Sequence, residues 1–426
     1  MSLLETAEAQ SLLAQGTLAA STVEACAGRL GAHLERYLPL FYRKEQAGNA
    51  QVVVRGLLSG LERKTCEPIA AKEGLHRKPI QFFVGNGKWN DEAVMEELRT
   101  HVREQIGEAD GVLVLDPSSF PKKGVNSCGV KRQWCGRLGK IENCQTGVFM
   151  AYASSKGHAL VDRKLFLPED WAHDMARREK SHVPPDVIYQ EKWRIARDMI
   201  ERHGAELPHA FVLGDDELGR PVEFRAWLRE HGEHYILDVP CNTLVRDLEA
   251  KRPRRRKAGR GQKRRRAFVS VKDWAEAQGG RWQHFTARDG EKGPLRVMAI
   301  ETRVACKRER RIGDEERLIV IRSVGSEPRT WYVLSNAGPD VPLIEIVRAH
   351  ALRFRIEQLF LEGKGEAGLD HYEVRSWVGW HHHMTLSILA LWILQLEKRE
   401  LGGKKPGHHR AAGAPSDHRV AFAASA

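Results

Sequence analysis

The sequence predicts an α/β protein: a mixed sheet flanked by helices, with a helical N-terminal region and a mainly β insertion. Three observations carry this. Residues 106–240 alternate short apolar runs with amphipathic stretches, as units of strand and helix do. Residues 1–105 show helical spacing of their apolar positions, clearest at Thr22–Tyr42 and Asp91–Ile106, with QVVVRGLLSGLERK between them. Residues 240–345 break the alternation with three strand-like pieces, RVMAIETRVAC, RLIVIRSV and TWYVLSN.

Within 106–240, strands are expected at 111–116, 147–154 and 159–166, the last carrying Asp162 as a surface charge. A helix at 187–203, a strand at 210–215, a helix at 221–231 and a strand at 234–239 follow. The apolar run Met384–Leu396 lies between His381-His382-His383 and Glu397-Lys398-Arg399. It falls short of the roughly 20 residues that cross a bilayer, so it reads as a buried helix. The three consecutive histidines point in different directions on a helix and do not make one metal site.

Two of the expected strands end in an acid: Asp116 in GVLVLDPSSFPKKG and Asp215 in AFVLGDDELGR. A third acid, Glu357 in RFRIEQLFLEGKGE, lies in a helical stretch. At about 100° per residue, His350, Arg353, Glu357 and Lys364 share one narrow helix face, away from Leu352, Ile356 and Leu359. A carboxylate flanked by cations suits a site that meets metal and phosphate together. Hard divalent ions take oxygen ligands, and two of them about 3.5–4 Å apart can clamp both oxygens of a phosphodiester displacement.

The third context can be written His350-x2-Arg353-x3-Glu357-x6-Lys364. Long phrases stand elsewhere: DPSSFPKKG at 116–124, VKRQWCGRLGKIENCQ at 130–145 and GLDHYEVRSWVGWHHHM at 368–384. Over roughly residues 35–400 the chain resembles the DDE transposases with an RNase H-like core, of the bacterial insertion-sequence group whose third motif is Tyr-x2-Arg-x3-Glu-x6-Lys. His350 stands in the tyrosine's place. The second motif reads Asp215-Asp216-Glu217-Leu218-Gly219 rather than Asp-x-Gly-Tyr-Gly. Asp215 and Asp216 therefore stay alternatives, Asp215 standing directly after Val212-Leu213-x, with Asp216 turned to cap the following turn.

The resemblance implies an enzyme that cuts the ends of a DNA insertion element and joins them to target DNA. Asp116, Asp215 and Glu357 would be catalytic and hold two Mg²⁺ ions, with Mn²⁺ able to substitute. His350, Arg353 and Lys364 would contact phosphate. Residues 106–240 and 346–401 would form the two parts of the RNase H-like core, around a basic β-rich insertion at 241–345. Residues 1–105 would be a helical DNA-binding region. The partner would be double-stranded DNA, both terminal inverted repeats and target site, bound by a homodimer in the bacterial cytoplasm at the nucleoid, with no membrane. Two alternatives remain: a related nuclease or resolvase that cuts without joining, and a domesticated DNA-binding protein without catalysis.

Composition agrees. At 426 residues the chain holds two or three domains, and a net charge of +12 with pI near 9.4 favours a polyanionic partner. In KRPRRRKAGRGQKRRR, residues 251–266, 11 of 16 residues are Lys or Arg, too many for nearby acids to neutralise. Arg254, Arg255, Arg256, Lys263, Arg264 and Arg265 are expected to bind backbone phosphate. Lys122 and Lys123 open a second basic segment, up to Lys140, placed to hold the cleaved strand. The seven cysteines are odd in number and form no CxxC. The spacing of Cys128, Cys135 and Cys144 fits no standard zinc pattern, so reduced thiols are expected. The N-terminus, with Glu5 and Glu8, is no signal peptide, and 402–426 reads as a disordered tail.

Overall fold

The computed structural model describes residues 20–251, 267–288, 293–308 and 311–402. Five helices come first: α1 (Ala20–Glu35), α2 (Lys44–Leu57), α3 (Cys66–Lys72), α4 (Arg77–Gly85) and α5 (Asp91–Ile106). Strands β1 (Val112–Pro121), β2 (Lys131–Cys135), β3 (Lys140–Ala153) and β4 (His158–Leu165) follow, then α6 (Glu169–His173), α7 (Met175–Lys180) and α8 (Lys192–His203). Next stand β5 (Phe211–Gly214), α9 (Asp216–Gly219), α10 (Val222–Glu230), β6 (Tyr235–Asp238), β7 (Leu244–Asp247), β8 (Val269–Ser270) and α11 (Val271–Glu276). The chain continues with β9 (Gln283–Arg288), β10 (Leu295–Arg308), β11 (Arg311–Ser323) and β12 (Thr330–Ser335), and with α12 (Leu343–Leu352), α13 (Phe354–Gly365) and α14 (Trp377–Gly402). The basic run 251–266, from Arg252 on, and the tail from residue 403 lie outside the described residues.

The expected elements of 106–240 are all present, most with shifted ends. Helix 187–203 begins only at Lys192, because its inward residues start at Ile195 and Ala196. The stretch Thr22–Tyr42 stops being α-helical after Glu35; a short 3₁₀ turn, Leu38–Leu40, carries Pro39, which has no N–H to continue the ladder.

The chain divides into two units, one holding residues up to Gly107 with 117–191 and 355 onward, the other 108–116 with 192–354. The first unit is built on α14. Apolar on every side, this helix has to be surrounded, and α1, α2, α4, α5 and β4 pack on it. The run Met384–Leu396 is buried throughout, as expected. Its histidines are buried too and donate to three different carbonyls: His381 Nδ1 to Trp377 at 2.9 Å, His382 Nδ1 to Val84 at 3.2 Å and His383 Nε2 to Gly368 at 3.0 Å. They serve packing, each with its own partner. Burial pushes His383 down to about 4, so it is neutral at pH 7.

Asp162 corrects an expectation: it is 2% exposed and no surface charge. The β3–β4 register shifts after Met150, where Met150 faces Asp162 but Ala151 faces Leu160, and Leu160 to Arg163 are all buried. Asp162 accepts the Arg163 backbone N–H at 2.7 Å. Arg163, also buried, donates to Thr385 on α14 and to Glu92 and Asp91 at the start of α5. The pair thus ties β4 to two helices.

In the second unit β1, β5 and β6 run parallel. Val112, Leu113, Val114 and Leu115 are each wholly buried, as an uninterrupted apolar run must be when both faces of a parallel strand are covered. The strands of 241–345 do not stand apart from these: β12 pairs with β6, β11 with β12, β10 with β11, and β7 and β9 with β10, all antiparallel. A core of Val245, Val271, Trp274, Ile300, Val304 and Leu318 lies beneath them. The buried Glu316 of β11 accepts Arg225 Nε of α10 at 2.8 Å and Tyr235 Oη of β6 at 2.7 Å.

Candidate active site

The register of the parallel strands builds the site. Leu115 pairs with Gly214, and Gly214 with Leu237. The next residue on each strand is an aspartate: Asp116, Asp215 and Asp238. Neighbouring strands lie about 4.8 Å apart, and residues in the same register row project to the same face. Three aspartates therefore follow one register row at the carboxyl ends of three adjacent strands.

The two aspartates of the second motif stand differently. Asp215 stands in the row, whereas Asp216 and the exposed Glu217 belong to the first turn of α9. The capping role expected of Asp216 falls to Asp215: its Oδ1 accepts the Leu218 N–H at 3.1 Å, because the strand gives way to helix at this residue. Glu217 is held by Lys192 at 2.7 Å. Burial, and then the negative charges of Glu217 and Asp216, push the Asp215 carboxyl up to about 6, against the lowering effects of the Leu218 N–H and Arg353. Carboxylate oxygens such as those of Asp116 and Asp215 are the donor type that hard divalent ions take.

Asp238 escaped the sequence reading. Its signal is the one that marked the other two, a short apolar run ending in an acid, here Tyr235-Ile236-Leu237-Asp238. Asp238 is 8% exposed, receives His350 Nε2 at 2.7 Å and pairs with Arg353 Nε at 3.2 Å. His350, expected at phosphate, is buried with its Nε2 on a carboxylate and Trp331 edge-on at 6.0 Å. Gly219 makes the close approach possible, since a Cβ there would meet the Asp238 carbonyl oxygen at 1.9 Å.

The expected single helix face from His350 to Lys364 is divided. Residues 343–352 and 354–365 form two helices, broken at Arg353. Its dihedrals stay helical (φ −53°, ψ −35°), but its N–H reaches only the His350 carbonyl, at 3.0 Å, a tightening typical of a helix end. His350 and Arg353 face Asp238 in the second unit.

Glu357 and Lys364 stand on α13 in the first unit. Glu357 is exposed. Lys364 Nζ donates to Ser118 at 3.0 Å and lies 5.1 Å from the Phe120 ring and 5.6 Å from the Phe360 ring. Its partner comes two residues after Asp116 in the chain. The helix is seated by Ile356, Leu359, Phe360 and Gly363, and by Glu362, which pairs with Lys398 at 2.8 Å.

Of the expected DNA contacts, Lys123 is exposed, whereas Lys122 turns inward. Lys122 Nζ sits 3.3 Å over the Tyr372 ring and donates to the Tyr372 carbonyl, and burial lowers it to about 8. Arg254, Arg255, Arg256, Lys263, Arg264 and Arg265 lie outside the described residues. Cys128, Cys135 and Cys144 are buried thiols; burial pushes Cys128 up to about 12 and Cys144 to about 11, keeping both protonated. Among the described residues, no group of three His, Cys, Asp or Glu forms a ready-made metal cage, and no helix is long and apolar enough to cross a membrane.

The family described as DDE superfamily endonuclease matches residues 36–294. Over 339 residues the chain is 26% identical to a protein of Microchaete diplosiphon named probable transposase for insertion sequence element IS701, covering 76% of this chain and 77% of that one. A cryo-EM structure of the piggyBac transposase synaptic complex with hairpin DNA matches 90% of this chain and 70% of its own, at 8% identity and a TM-score of 0.42.

Proposed function

We propose that this chain, which belongs to the DDE superfamily endonuclease family, is a DNA transposase: it cuts the ends of an insertion element and joins them to target DNA. The observation that carries the reading is the Leu115–Gly214 register, which sets Asp116 beside Asp215 at the ends of parallel strands. Two carboxylates so placed, one of them held up to about 6, suit metal-dependent phosphodiester chemistry better than a solvated surface role.

Asp116, Asp215 and Glu357 are the residues that would hold two divalent ions, Mg²⁺ with Mn²⁺ able to substitute. When bound, such ions activate the attacking oxygen, from water or a 3′-hydroxyl, and stabilise the leaving one. Asp215 is oriented by the Leu218 N–H on its Oδ1. Asp238 takes up His350 and Arg353 at the end of α12, which supports a positioning role for His350. Lys364, steadied by Ser118, offers a cation to phosphate beside the segment that follows Asp116. The DNA is double-stranded, terminal repeats and target alike, and a homodimer handles the two ends at the bacterial nucleoid.

The test uses the purified full chain, a duplex carrying the element's end, and Mg²⁺. Asp116→Asn and Glu357→Gln should each abolish cutting while binding in a gel-shift assay persists. Normal cleavage by either variant would remove that residue from the metal-holding set.

A further inference from the structure

Helices α2, α3 and α4 pack on one another, and α2 and α4 pack on α14 as well. A short turn, Glu73 to His76, joins α3 to α4, with Gly74 at φ +65°. It closes α3 by two hydrogen bonds: the Gly74 N–H donates to the Ala71 carbonyl at 3.1 Å, and the Leu75 N–H to the Ala70 carbonyl at 2.8 Å. That pair of bonds needs a left-handed residue, which glycine supplies without strain. Ile69 and Ala70 of α3 and Ile80, Phe83 and Val84 of α4 are buried. α2 comes so near that a Cβ on its Gly56 would meet Ile69 Cγ2 at 2.4 Å. Three helices in contact, with a glycine turn between the last two and the apolar residues of both facing inward, have the build of a helix-turn-helix.

The outer side of α4 says what such a unit would meet. Lys78, Gln81 and Phe82, spaced i, i+3 and i+4, share the side opposite Ile80, Phe83 and Val84 and are exposed, Phe82 to 62%. Arg77 beside them pairs with the exposed Glu67 at 2.8 Å, a surface contact worth little. Residues 74–90 carry three cations, Arg77, Lys78 and Lys88, and no acid. The far end of α4 is fixed from within. His382 Nδ1 donates to the Val84 carbonyl at 3.2 Å and Ser376 Oγ to the Gly85 carbonyl at 3.1 Å, while Trp89 stacks on the His382 ring at 3.9 Å. A short, anchored helix thus presents a positively charged N-terminal half to solvent.

We infer that residues 66–85 read sequence in the end of the insertion element: α4 lies in the major groove with Lys78, Gln81 and Phe82 on base edges, α3 crosses the adjoining backbone, and Arg77 takes a phosphate. A major groove about 12 Å wide admits a helix, and each of these side chains has a partner there. A glutamine amide pairs twice with adenine at N6 and N7, a lysine donates to guanine O6 or N7, and an aromatic side chain meets the thymine methyl. Contacts to phosphate position a protein without reading bases, so this face differs in kind from the arginine-rich run at 251–266. The inference rests on the reading of the chain as a DNA-cutting enzyme, and deepens it by naming the residues that tell the element's end from other duplex.

The experiment measures binding of the full chain to two fluorescein-labelled duplexes by anisotropy at fixed salt, one with the terminal base pairs of the insertion element and one with the same bases shuffled. Wild type should favour the terminal duplex. Gln81→Ala and Phe82→Ala should each shrink that preference by about tenfold, within what one base contact supplies, and leave shuffled-duplex binding unchanged. Placing 7-deazaadenine, which lacks N7, at each terminal adenine in turn should weaken wild type at one position and leave Gln81→Ala unaffected there, a response that a merely structural glutamine would not give. Far-ultraviolet circular dichroism checks that both variants fold. Equal binding of the two duplexes by wild type, a preference that survives both substitutions, or an equal loss on both duplexes overturns the inference. So does a variant that keeps its preference but sediments as monomer where wild type is dimeric, which makes the outer side of α4 a protein interface. Wild type that binds neither duplex would overturn the reading of the chain as a DNA enzyme, and this inference with it.

Discussion

Replacing Asp215 by Asn should make the metal-free protein more stable while destroying its activity. Burial and the charges of Glu217 and Asp216 raise this carboxyl from 3.8 to about 6. The protonated form is thus favoured in the folded chain. Its contribution is full below about 3.8 and is lost as the pH rises through about 6, above which the ionised carboxylate burdens the folded state. A shift of about 2 units at about 1.4 kcal/mol each corresponds to about 3 kcal/mol; the partial exposure of Asp215 trims that to about 2 kcal/mol. Asparagine removes the charge yet keeps an Oδ1 for the Leu218 N–H, and it caps helices as well as aspartate does. Urea denaturation in EDTA should therefore show Asp215→Asn more stable by about 2 kcal/mol at pH 8 and equal to wild type near pH 4. Added Mg²⁺ should raise the stability of wild type more than that of the variant, and cutting should be lost. A stability difference that does not change with pH, or a variant weaker than wild type at pH 8, would refute the argument that this carboxylate is strained by uncompensated charge.

Two further perturbations probe the frame around the row and the charge beyond it. Arg225→Met strips the buried Glu316 of its cation and should cost about 3–5 kcal/mol in urea denaturation. Adding Glu316→Leu should recover most of that, and a single variant within about 1 kcal/mol of wild type would mean the pair contributes little. Replacing Arg254, Arg255 and Arg256 by Ala should weaken binding to specific and random duplex alike. It should also flatten the slope of log K against log salt by about 0.9 per lost phosphate contact, whereas an unchanged slope would make the run a linker.

Much of the candidate site's framework was legible because its signals are local. An apolar run that ends in an acid announces a strand with a carboxylate at its end, and Val112–Leu115 before Asp116 and Val212–Gly214 before Asp215 behave so. Tyr235–Leu237 before Asp238 carries the same signal, but nothing local says that the acid will face His350, 112 residues on. Helical periodicity placed His350, Arg353, Glu357 and Lys364 on one face, and it is blind to a break at Arg353, where the backbone angles stay helical and only the hydrogen bonding changes. Lys122 and Lys123 are identical in sequence terms; which one turns onto the Tyr372 ring depends on a residue 250 positions away.

By itself, then, the sequence determined the class of the fold, the strands that end in acids, the surplus of positive charge and, through long shared phrases, the family. Apolar periodicity, charge and motif spacing are properties of neighbours along the chain, and they survive without knowledge of the fold. Tertiary structure decided which strand lies beside which, and hence that Asp116, Asp215 and Asp238 form one row. It also decided that Asp162 is buried, that Asp215 caps α9, and that Trp134 stays in water while Cys135 beside it does not. Those outcomes depend on registers and packing between residues distant in sequence, where burial and hydrogen-bond partners are chosen by the assembled sheet and helices rather than by any local preference.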